Sequence, residues 1–252
     1  MLRIENISKS YGSKEVIKNV SFEIENNSIC GLLGKNGAGK TTILNIINFL
    51  INPSSGSIYI DESNLNDQSF DQFKKIGFVN DRNDLISELT GYQFLKFRSL
   101  VYSIPNQVFS ERAKNLVQYF FETSEDIDQV ISSYSTGMRM KLKIIASLIH
   151  APNILVLDEP FANLDPVISN KLANLLADFA SQKNNLVLVS SHDLLYIEKI
   201  ADSIAVLNDH QLAFFGTKEE FTQNATTNFD KSLLELIDTG ANKQPHNLNL
   251  FS

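Results

Sequence analysis

The sequence is poor in cysteine, tryptophan and long apolar runs. Its one cysteine, Cys30, lies in an apolar stretch, which excludes a disulfide or a cysteine-based zinc site and favours a small core residue. No segment offers the roughly twenty apolar residues that a membrane-spanning helix needs. The first residues, Met1–Glu5, turn polar too early for a signal peptide, so we expect a cytosolic protein.

Positive charge is also scarce. The 252 residues include 22 lysines and arginines against 29 aspartates and glutamates, which gives a net charge of −7. This balance argues against a general affinity for nucleic acid or for an anionic membrane surface. The length allows one large α/β domain or two small ones with a substantial core. We therefore expect a globular protein with no nucleic-acid partner.

One glycine-rich stretch, Gly34–Thr42, reads GKNGAGKTT. It follows the apolar run Ile29–Leu33 and precedes a helical pattern, which is the context of a phosphate-binding loop rather than of an ordinary glycine turn. Glycine lets successive N–H groups turn toward phosphate oxygens. Lys40 would reach the β- and γ-phosphates, and the Thr41 hydroxyl would ligate Mg²⁺. The candidate nucleotide-binding residues here are Gly34, Lys35, Asn36, Gly37, Ala38, Gly39, Lys40, Thr41 and Thr42.

The apolar pattern around this loop indicates an α/β fold. Residues 1–33 alternate as strands do, and three continuous apolar runs, 154–157, 186–189 and 204–207, are typical of strands buried on both faces. Strands that alternate with helices imply a mostly parallel sheet. We therefore expect a P-loop NTPase core with a mostly parallel sheet and an N-terminal antiparallel β-subdomain.

The segment between these strands has a different character. Its apolar residues have helical spacing, which predicts a helical subdomain inserted at about 85–150. We expect one ATPase domain over residues 1–220. A short helical segment and a loose, polar C-terminal tail should occupy 221–252.

Polar side chains follow two of the predicted buried strands. Asp158 and Glu159 come directly after the run Ile154–Leu157, and His192 follows the run 186–189. Because ligands bind at the carboxyl ends of parallel strands, Asp158 is placed to hold Mg²⁺ and Glu159 to activate a water, rather than to form a solvated loop. His192 lies at the same rim, where it could contact a γ-phosphate. The other histidines are expected to be structural.

The chain resembles the ATP-binding subunit of an ABC transporter over roughly residues 1–220. The resemblance rests on a set of motifs in fixed order: Gly34–Thr42, Tyr134–Met138, Asp158–Glu159, Asn163–Asp165 and His192.

The resemblance implies a use for each motif, and it makes Asn163–Asp165 the loop that joins the two active sites. Tyr11 would stack on the adenine of ATP with Val16 packed nearby, and His192 would act as a γ-phosphate switch. Ser135 and Gly137, before an amphipathic helix, would meet the ATP of a second chain in a head-to-tail dimer. ATP and Mg²⁺ are the cofactors that it implies, and Glu159, His192 and Lys40 are the expected catalytic residues.

Two positions depart from the family pattern. Thr136 stands in the signature where a glycine is usual, and it adopts glycine-only backbone angles less readily. Asp81 stands where the family usually has a glutamine near Mg²⁺. Since an aspartate can bind Mg²⁺ directly or through water, we expect Asp81 to be a third metal-binding residue beside Thr41 and Asp158.

The resemblance implies an ATPase that powers transport by separate membrane-spanning permease subunits. The missing glutamine and the signature Tyr134–Met138 resemble those of exporter-type or poorly characterised bacterial cassettes more than those of nutrient importers. The direction of transport is expected to be export, and the partners of the ATPase are a permease and a second copy or a paralogous ATPase subunit. It would work in the cytoplasm, peripheral on the inner face of the cell membrane.

The stretch Leu85–Tyr92 either forms a groove for a permease helix or covers the helical subdomain. The alternative function is a soluble ABC-type ATPase with a regulatory role.

Overall fold

The computed structural model describes residues 1–64, 70–80, 84–223 and 228–238. The predicted metal-binding residue Asp81 and the predicted loose tail from Thr239 onward lie outside these ranges. The strands are β1 (Leu2–Tyr11), β2 (Lys14–Ile24), β3 (Ser28–Gly34), β4 (Ser55–Ile60), β5 (Ser63–Asn64), β6 (Ile76–Val79), β7 (Ile154–Asp158), β8 (Leu186–Ser190), β9 (Ser203–Asn208) and β10 (Gln211–Thr217).

The first sheet is antiparallel and has the order β2-β1-β4-β5. In β1, Leu2 pairs with Ile24 on one side and with Ile60 on the other. Buried and more exposed residues alternate at the start of this strand, as expected when one face of a sheet covers the core. The predicted N-terminal antiparallel sheet is confirmed.

The second sheet has the order β10-β9-β3-β8-β7-β6, and all its pairs are parallel except that of β10 with β9. Every residue of β7 and β8 is buried, which explains why these strands are continuous apolar runs. The predicted mostly parallel sheet is also confirmed.

Most of the described helices lie between these strands in the chain, and the last two follow β10. The helices are α1 (Lys40–Ile47), α2 (Phe70–Phe73), α3 (Gly91–Val101), α4 (Asn106–Phe120), α5 (Thr136–Leu148), α6 (Pro166–Ser181), α7 (Leu194–Ile200), α8 (Lys218–Gln223) and α9 (Phe229–Asp238). None of the described helices is long and apolar enough to cross a membrane.

The helices α3, α4 and α5 follow one another between β6 and β7, in the segment where the spacing of apolar residues predicts helices. A capping box starts α3, because the Thr90 hydroxyl accepts from Gln93 N while the Gln93 side chain accepts from Thr90 N. Helix α5 begins at Thr136, so Gly137 lies within its first turn rather than before it. The reason is that Ser135 supplies the N-cap.

The parallel strands bring their carboxyl ends to one edge of the sheet. Asp158 pairs with Ser190 across β7 and β8, and Gly34 pairs with Leu207 across β3 and β9. The end of β3 runs directly into the glycine-rich loop, so the loop and the strand-end carboxylates share this edge. This is the edge at which ligands bind in open α/β sheets.

Candidate functional site

The phosphate-loop stretch folds as a tight turn between β3 and α1. Gly34, Gly37 and Gly39 have φ values of 148°, 81° and 108°, in the region that favours glycine. A Cβ on Gly39 would lie 2.2 Å from Ile17 Cδ1 and 2.8 Å from Val16 O. No larger residue therefore fits at the start of α1, and the loop conformation depends on glycine.

Lys40 points into this loop. Its side-chain ammonium donates to Gly34 O at 2.7 Å and to Lys35 O at 3.4 Å, and the residue is only 7% exposed. Burial lowers the pKa of Lys40, although the nearby carboxylates of Glu159 and Asp158 act in the opposite direction. Both of these hydrogen bonds from the Lys40 ammonium go to neutral carbonyls, and a buried cation bonded in this way is a good partner for an anion.

Thr41 and Asp158 form the next part of the site. The Thr41 hydroxyl donates to one carboxylate oxygen of Asp158 at 2.8 Å. The Ser190 hydroxyl donates to the other oxygen at 2.5 Å. Asp158 is buried, and these two hydrogen bonds hold its carboxyl group in a fixed orientation.

Glu159 and His192 meet beside this network. The amide of His192 donates to Glu159 Oε2 at 2.9 Å, and His192 Nε2 lies 3.2 Å from Glu159 Oε1 without the alignment of a hydrogen bond. Glu159 has a φ of 50°, and its own amide donates to Ser190 O. This unusual backbone conformation turns the carboxylate away from the strand and toward the histidine.

One cavity of about 230 Å³ unites these groups. It is lined by Val16, Lys35, Asn36, Gly37, Gly39, Lys40, Thr41, Thr42, Asp158, Glu159 and His192. The cavity combines the buried Lys40 ammonium and the backbone of the glycine-rich loop with the Thr41 hydroxyl and the Asp158 carboxyl group. Its chemistry therefore fits a triphosphate with a divalent cation. In the described part of the chain, no three His, Cys, Asp or Glu side chains form a metal site by themselves. A cation here would thus need phosphate or water oxygens as well.

Comparison with known proteins decides the family. The family model described as ABC transporter matches residues 17–162, more than half of the chain. The chain belongs to the ABC transporter family. It is therefore an ABC-type ATPase, and the resemblance seen in its motifs is confirmed.

Relatives of this ABC ATPase include ATP-binding subunits of bacterial transporters. The uncharacterized ABC transporter ATP-binding protein YxlF of Bacillus subtilis is 31% identical over 98% of this chain and 81% of its own length. The bacitracin transport ATP-binding protein BcrA of Enterococcus faecalis is 31% identical over 84% of this chain and 68% of its own. The choline transport ATP-binding protein OpuBA of Bacillus subtilis is 30% identical over 91% of this chain and 61% of its own.

Solved structures share the fold of the ABC ATPase. The ATP-binding subunit of an ABC transporter superimposes with a TM-score of 0.87 at 24% identity, over 94% of this chain and 99% of the other. A dimeric ATP-binding cassette in a post-hydrolysis state, bound to ADP and Pi, superimposes with a TM-score of 0.78 at 26% identity, over 86% of this chain and 98% of the other. The predicted fold class and ATPase activity are thus confirmed, and ATP is the family's nucleotide.

Five predicted site residues of the ABC ATPase within the described ranges do not line the cavity. Two of them, Gly34 and Ala38, belong to the glycine-rich loop itself, and the other three belong to other motifs. Tyr11 is 53% exposed, and its ring lies 5.0 Å from Lys9 Nζ. Ser135 caps α5, where its hydroxyl accepts from Met138 N at 3.2 Å. Gly137 lies in the first turn of α5, with Asn163 O 3.2 Å from the place of a Cβ. The adenine and signature roles of these residues remain predictions.

Sequence reasoning missed Ser190, which bonds to Asp158 and accepts from the amide of Glu159 at 3.2 Å. Ser190 ends β8 in the register of Asp158 at the end of β7. The available signal was a polar residue that closes an apolar run, LVLVS, next to a run that closes with aspartate. That signal becomes specific only when the two strands are known to be neighbours.

Proposed function

We propose that this ABC ATPase is the ATP-hydrolysing subunit of a transporter whose membrane-spanning permease subunits are separate chains. The observation that carries the hydrolytic part is the single cavity that unites Lys40, the Thr41–Asp158 pair and the Glu159–His192 pair. The transport part is supported by relatives that are named as ATP-binding subunits of transporters.

Each group in the cavity has a proposed task. ATP bound with Mg²⁺ supplies the phosphoryl group that is transferred to water. Lys40 neutralises the terminal phosphates, while Thr41 and Asp158 hold the cation. Glu159 orients a water and accepts its proton, and His192, through its contact with Glu159, fixes the direction of that carboxylate. Asp81 keeps its proposed role as a further metal contact, outside the described residues.

A second ATPase chain is part of the proposal. Ser135 is exposed and lies outside its own chain's cavity, at the N-terminal end of α5, where unpaired amides favour an anion. We infer that Ser135 and Gly137 contact the ATP of a partner chain in a head-to-tail dimer. The dimeric cassette among the solved structures supports the formation of a dimer. The partner is a second copy or a paralogous subunit.

A groove supports the proposed permease contact. A cavity of about 360 Å³ lies between β6 and the helices α3 and α5, and the side chains of Leu50, Ile86 and Phe97 line it while remaining exposed to solvent. Exposed apolar side chains around a groove are typical of helix-in-groove docking. We therefore favour the groove over a covering role for Leu85–Tyr92, and we place the protein on the cytoplasmic face of the membrane through this contact.

Transport direction remains part of the proposal. Relatives named for bacitracin transport and for choline transport are similarly identical, at 31% and 30%, so identity does not separate the classes of transported substrate. We propose export because of the altered signature around Thr136 and the aspartate at position 81. We expect the transported substrate to accumulate in an ATP-dependent way in everted membrane vesicles that contain the transporter, and not in right-side-out vesicles.

The decisive test of the ATPase mechanism is Glu159→Gln. Loss of the carboxylate base should abolish hydrolysis and trap the ATP-bound form as a dimer, which light scattering with and without Mg·ATP would detect. Glu198→Gln, at an exposed position on α7, is the matched control and should hydrolyse ATP as before. Undiminished turnover of the Glu159→Gln protein would contradict the proposed base.

The permease contact has its own test. Phe97→Asp, which places a charge in the groove, should lower the fraction of the protein that sediments with cell membranes. Val108→Asp on α4 introduces the same charge at an exposed apolar position that does not line the groove. Equal membrane fractions for wild type and Phe97→Asp, with no membrane protein co-purified, would instead favour the soluble regulatory function.

A further inference from the structure

The helix α9 has both its ends near the candidate nucleotide site. Its first turn contains Asp230, which lines an open groove together with Glu159 and His192. Its buried side chains, Phe229, Ser232 and Ile237, fix it to the protein body near β3, β9 and α7. The sequence motifs described above lie between Gly34 and His192, so they do not include this helix.

The last turn of α9 is bound by two side-chain donors. Lys35 Nζ donates to Ile237 O at 3.3 Å, and Asn208 Nδ2 donates to Leu236 O at 3.1 Å and to Ile237 O at 3.4 Å. The final carbonyls of a helix have no partners inside it, and they form the negative end of its dipole. A lysine and an amide that meet these carbonyls therefore contribute to holding the helix in place.

Both donors come from the edge of the sheet that carries the phosphate loop. Gly34, which precedes Lys35, pairs with Leu207, which precedes Asn208. The approach is close, since a Cβ on Gly34 would lie 2.4 Å from Leu207 O. The loop, the end of β9 and the end of α9 therefore form one connected cluster.

Lys35 belongs to two sites at once. It lines the cavity of the phosphate loop, and its ammonium also bonds to the end of α9. A hydrogen bond from an ammonium to a phosphate joins two full charges and is stronger than one to a neutral carbonyl. We propose that ATP and the end of α9 compete for Lys35, so that ATP binding loosens α9 and docked α9 weakens ATP binding. The inference rests on the proposed nucleotide site.

The reciprocity of binding linkage gives the first test. Asn208→Ala removes the uncharged anchor of α9 and should free Lys35 for phosphate. We expect ATP to bind about two- to tenfold more tightly to this variant, the size of one hydrogen bond. The same substitution in a Lys35→Met background should leave the dissociation constant unchanged. Leu234→Ala, on the exposed side of α9, is the control and should bind ATP like the parent protein.

The second test observes α9 itself. Hydrogen exchange of the amides in α9 should become faster when Mg·ATP is added to the Glu159→Gln protein, which holds ATP unhydrolysed. In the Lys35→Met variant the added ATP should not change this exchange. Lys231→Met removes an equal charge from the exposed first turn of α9 and should retain the response.

The outcomes separate this inference from the function on which it rests. If ATP does not bind, or binds equally well after Lys40→Ala, the proposed nucleotide site is wrong. If ATP binds in a Lys40-dependent way but exchange in α9 stays the same or slows, only the competition is wrong. Tighter ATP binding by Asn208→Ala that persists in the Lys35→Met background would also overturn it, because the effect would not pass through Lys35.

Discussion

At the scale of single residues, the site consists of charges that the fold has already oriented. Asp158 is buried, and each of its carboxylate oxygens accepts a hydroxyl hydrogen bond, one from Thr41 and one from Ser190. A buried polar oxygen that lacks a hydrogen-bond partner would destabilise the fold. Ser190 thus holds the Asp158 carboxyl group in a fixed orientation, as a metal ligand requires.

This arrangement makes a prediction for Ser190→Ala. The substitution leaves one oxygen of a buried carboxylate unpaired, so we expect the free energy of unfolding to fall by about 1–3 kcal/mol. The Mg²⁺ concentration that gives half-maximal ATPase activity should rise, because Asp158 is no longer held on both sides. Urea denaturation and a Mg²⁺ titration measure the two effects.

The control for this prediction is Ser147→Ala. Ser147 is also buried, but its hydroxyl donates only to Ile144 O within α5. This variant should lose some stability while its Mg²⁺ dependence stays the same. A Mg²⁺ dependence that shifts equally in both variants would show that Ser190 acts through general stability alone.

The residues of the site differ in how far the sequence could predict them. Lys40, Thr41, Asp158 and Glu159 lie in motifs whose chemistry is local, so the strand–loop–helix pattern was enough to find them. Ser190 could not be found in this way, because its partner lies on another strand and only the parallel register of β7 and β8 brings the two together. Contacts between elements distant in sequence are what local patterns omit.

At the scale of elements, the N-terminus of α5 has two tasks that must be separated. The Ser135 hydroxyl accepts from Met138 N and so caps the helix. The same hydroxyl is proposed to contact the partner chain's ATP. Any substitution that damages the cap therefore changes stability and dimerisation together, and its result cannot be assigned to either.

A matched pair of substitutions separates the two tasks. Ser135→Asp retains an N-cap acceptor, so its stability should equal or exceed that of the wild type, but its negative charge should prevent ATP-dependent dimerisation. Ser135→Ala should lose about 1 kcal/mol of stability with the cap. Thermal denaturation, and light scattering in the Glu159→Gln background, measure these outcomes. An ATP-dependent dimer of Ser135→Asp would contradict the signature role.

The pattern of apolar residues predicts the existence of the helices and strands better than it predicts where each one begins and ends. The runs in β7 and β8 are continuous because both faces of these strands are buried, and that property is visible in the sequence. The two-residue strand β5 could not be predicted from the sequence, since Ser63 and Asn64 are polar and the strand is defined by its pairing with the end of β4. Strands this short are defined by their neighbour rather than by their own composition.

At the scale of the whole molecule, His150 joins the helices α3–α5 to the parallel sheet. Its Nε2 lies 3.0 Å from the carbonyl of Ile76 in β6, and its ring stacks on Tyr102 at a centroid distance of 3.9 Å. Burial, together with the positive charges of Arg98 and Arg112, lowers the pKa of His150 to about 4 despite the bond to Ile76. The histidine is therefore neutral in the folded protein at neutral pH.

This lowered pKa makes stability depend on pH in a defined direction. Above the ordinary pKa near 6.5, His150 is neutral in both the folded and the unfolded chain and has no effect. As the pH falls from 6.5 toward about 4, the unfolded chain takes up a proton that the folded protein does not, so the free energy of unfolding falls. One proton corresponds to at most about 1.4 kcal/mol per pH unit. Urea denaturation at a series of pH values measures the slope.

His150→Gln isolates this contribution from the acidic groups that also titrate as the pH falls. A glutamine amide can donate to the carbonyl of Ile76 as the imidazole does, but it does not take up a proton in this range. We expect the wild type to lose stability more steeply than His150→Gln between pH 6.5 and 4, and the two slopes to agree between pH 7 and 8. If the free energies of unfolding of the two proteins instead changed in parallel at every pH, the imidazole would be protonated as readily in the folded protein as in the unfolded chain. A ring that is stacked on Tyr102 and bonded to β6 cannot take up a proton so readily unless that contact opens. Parallel slopes would therefore mean that the contact between the helices and β6 is looser than the structure shows.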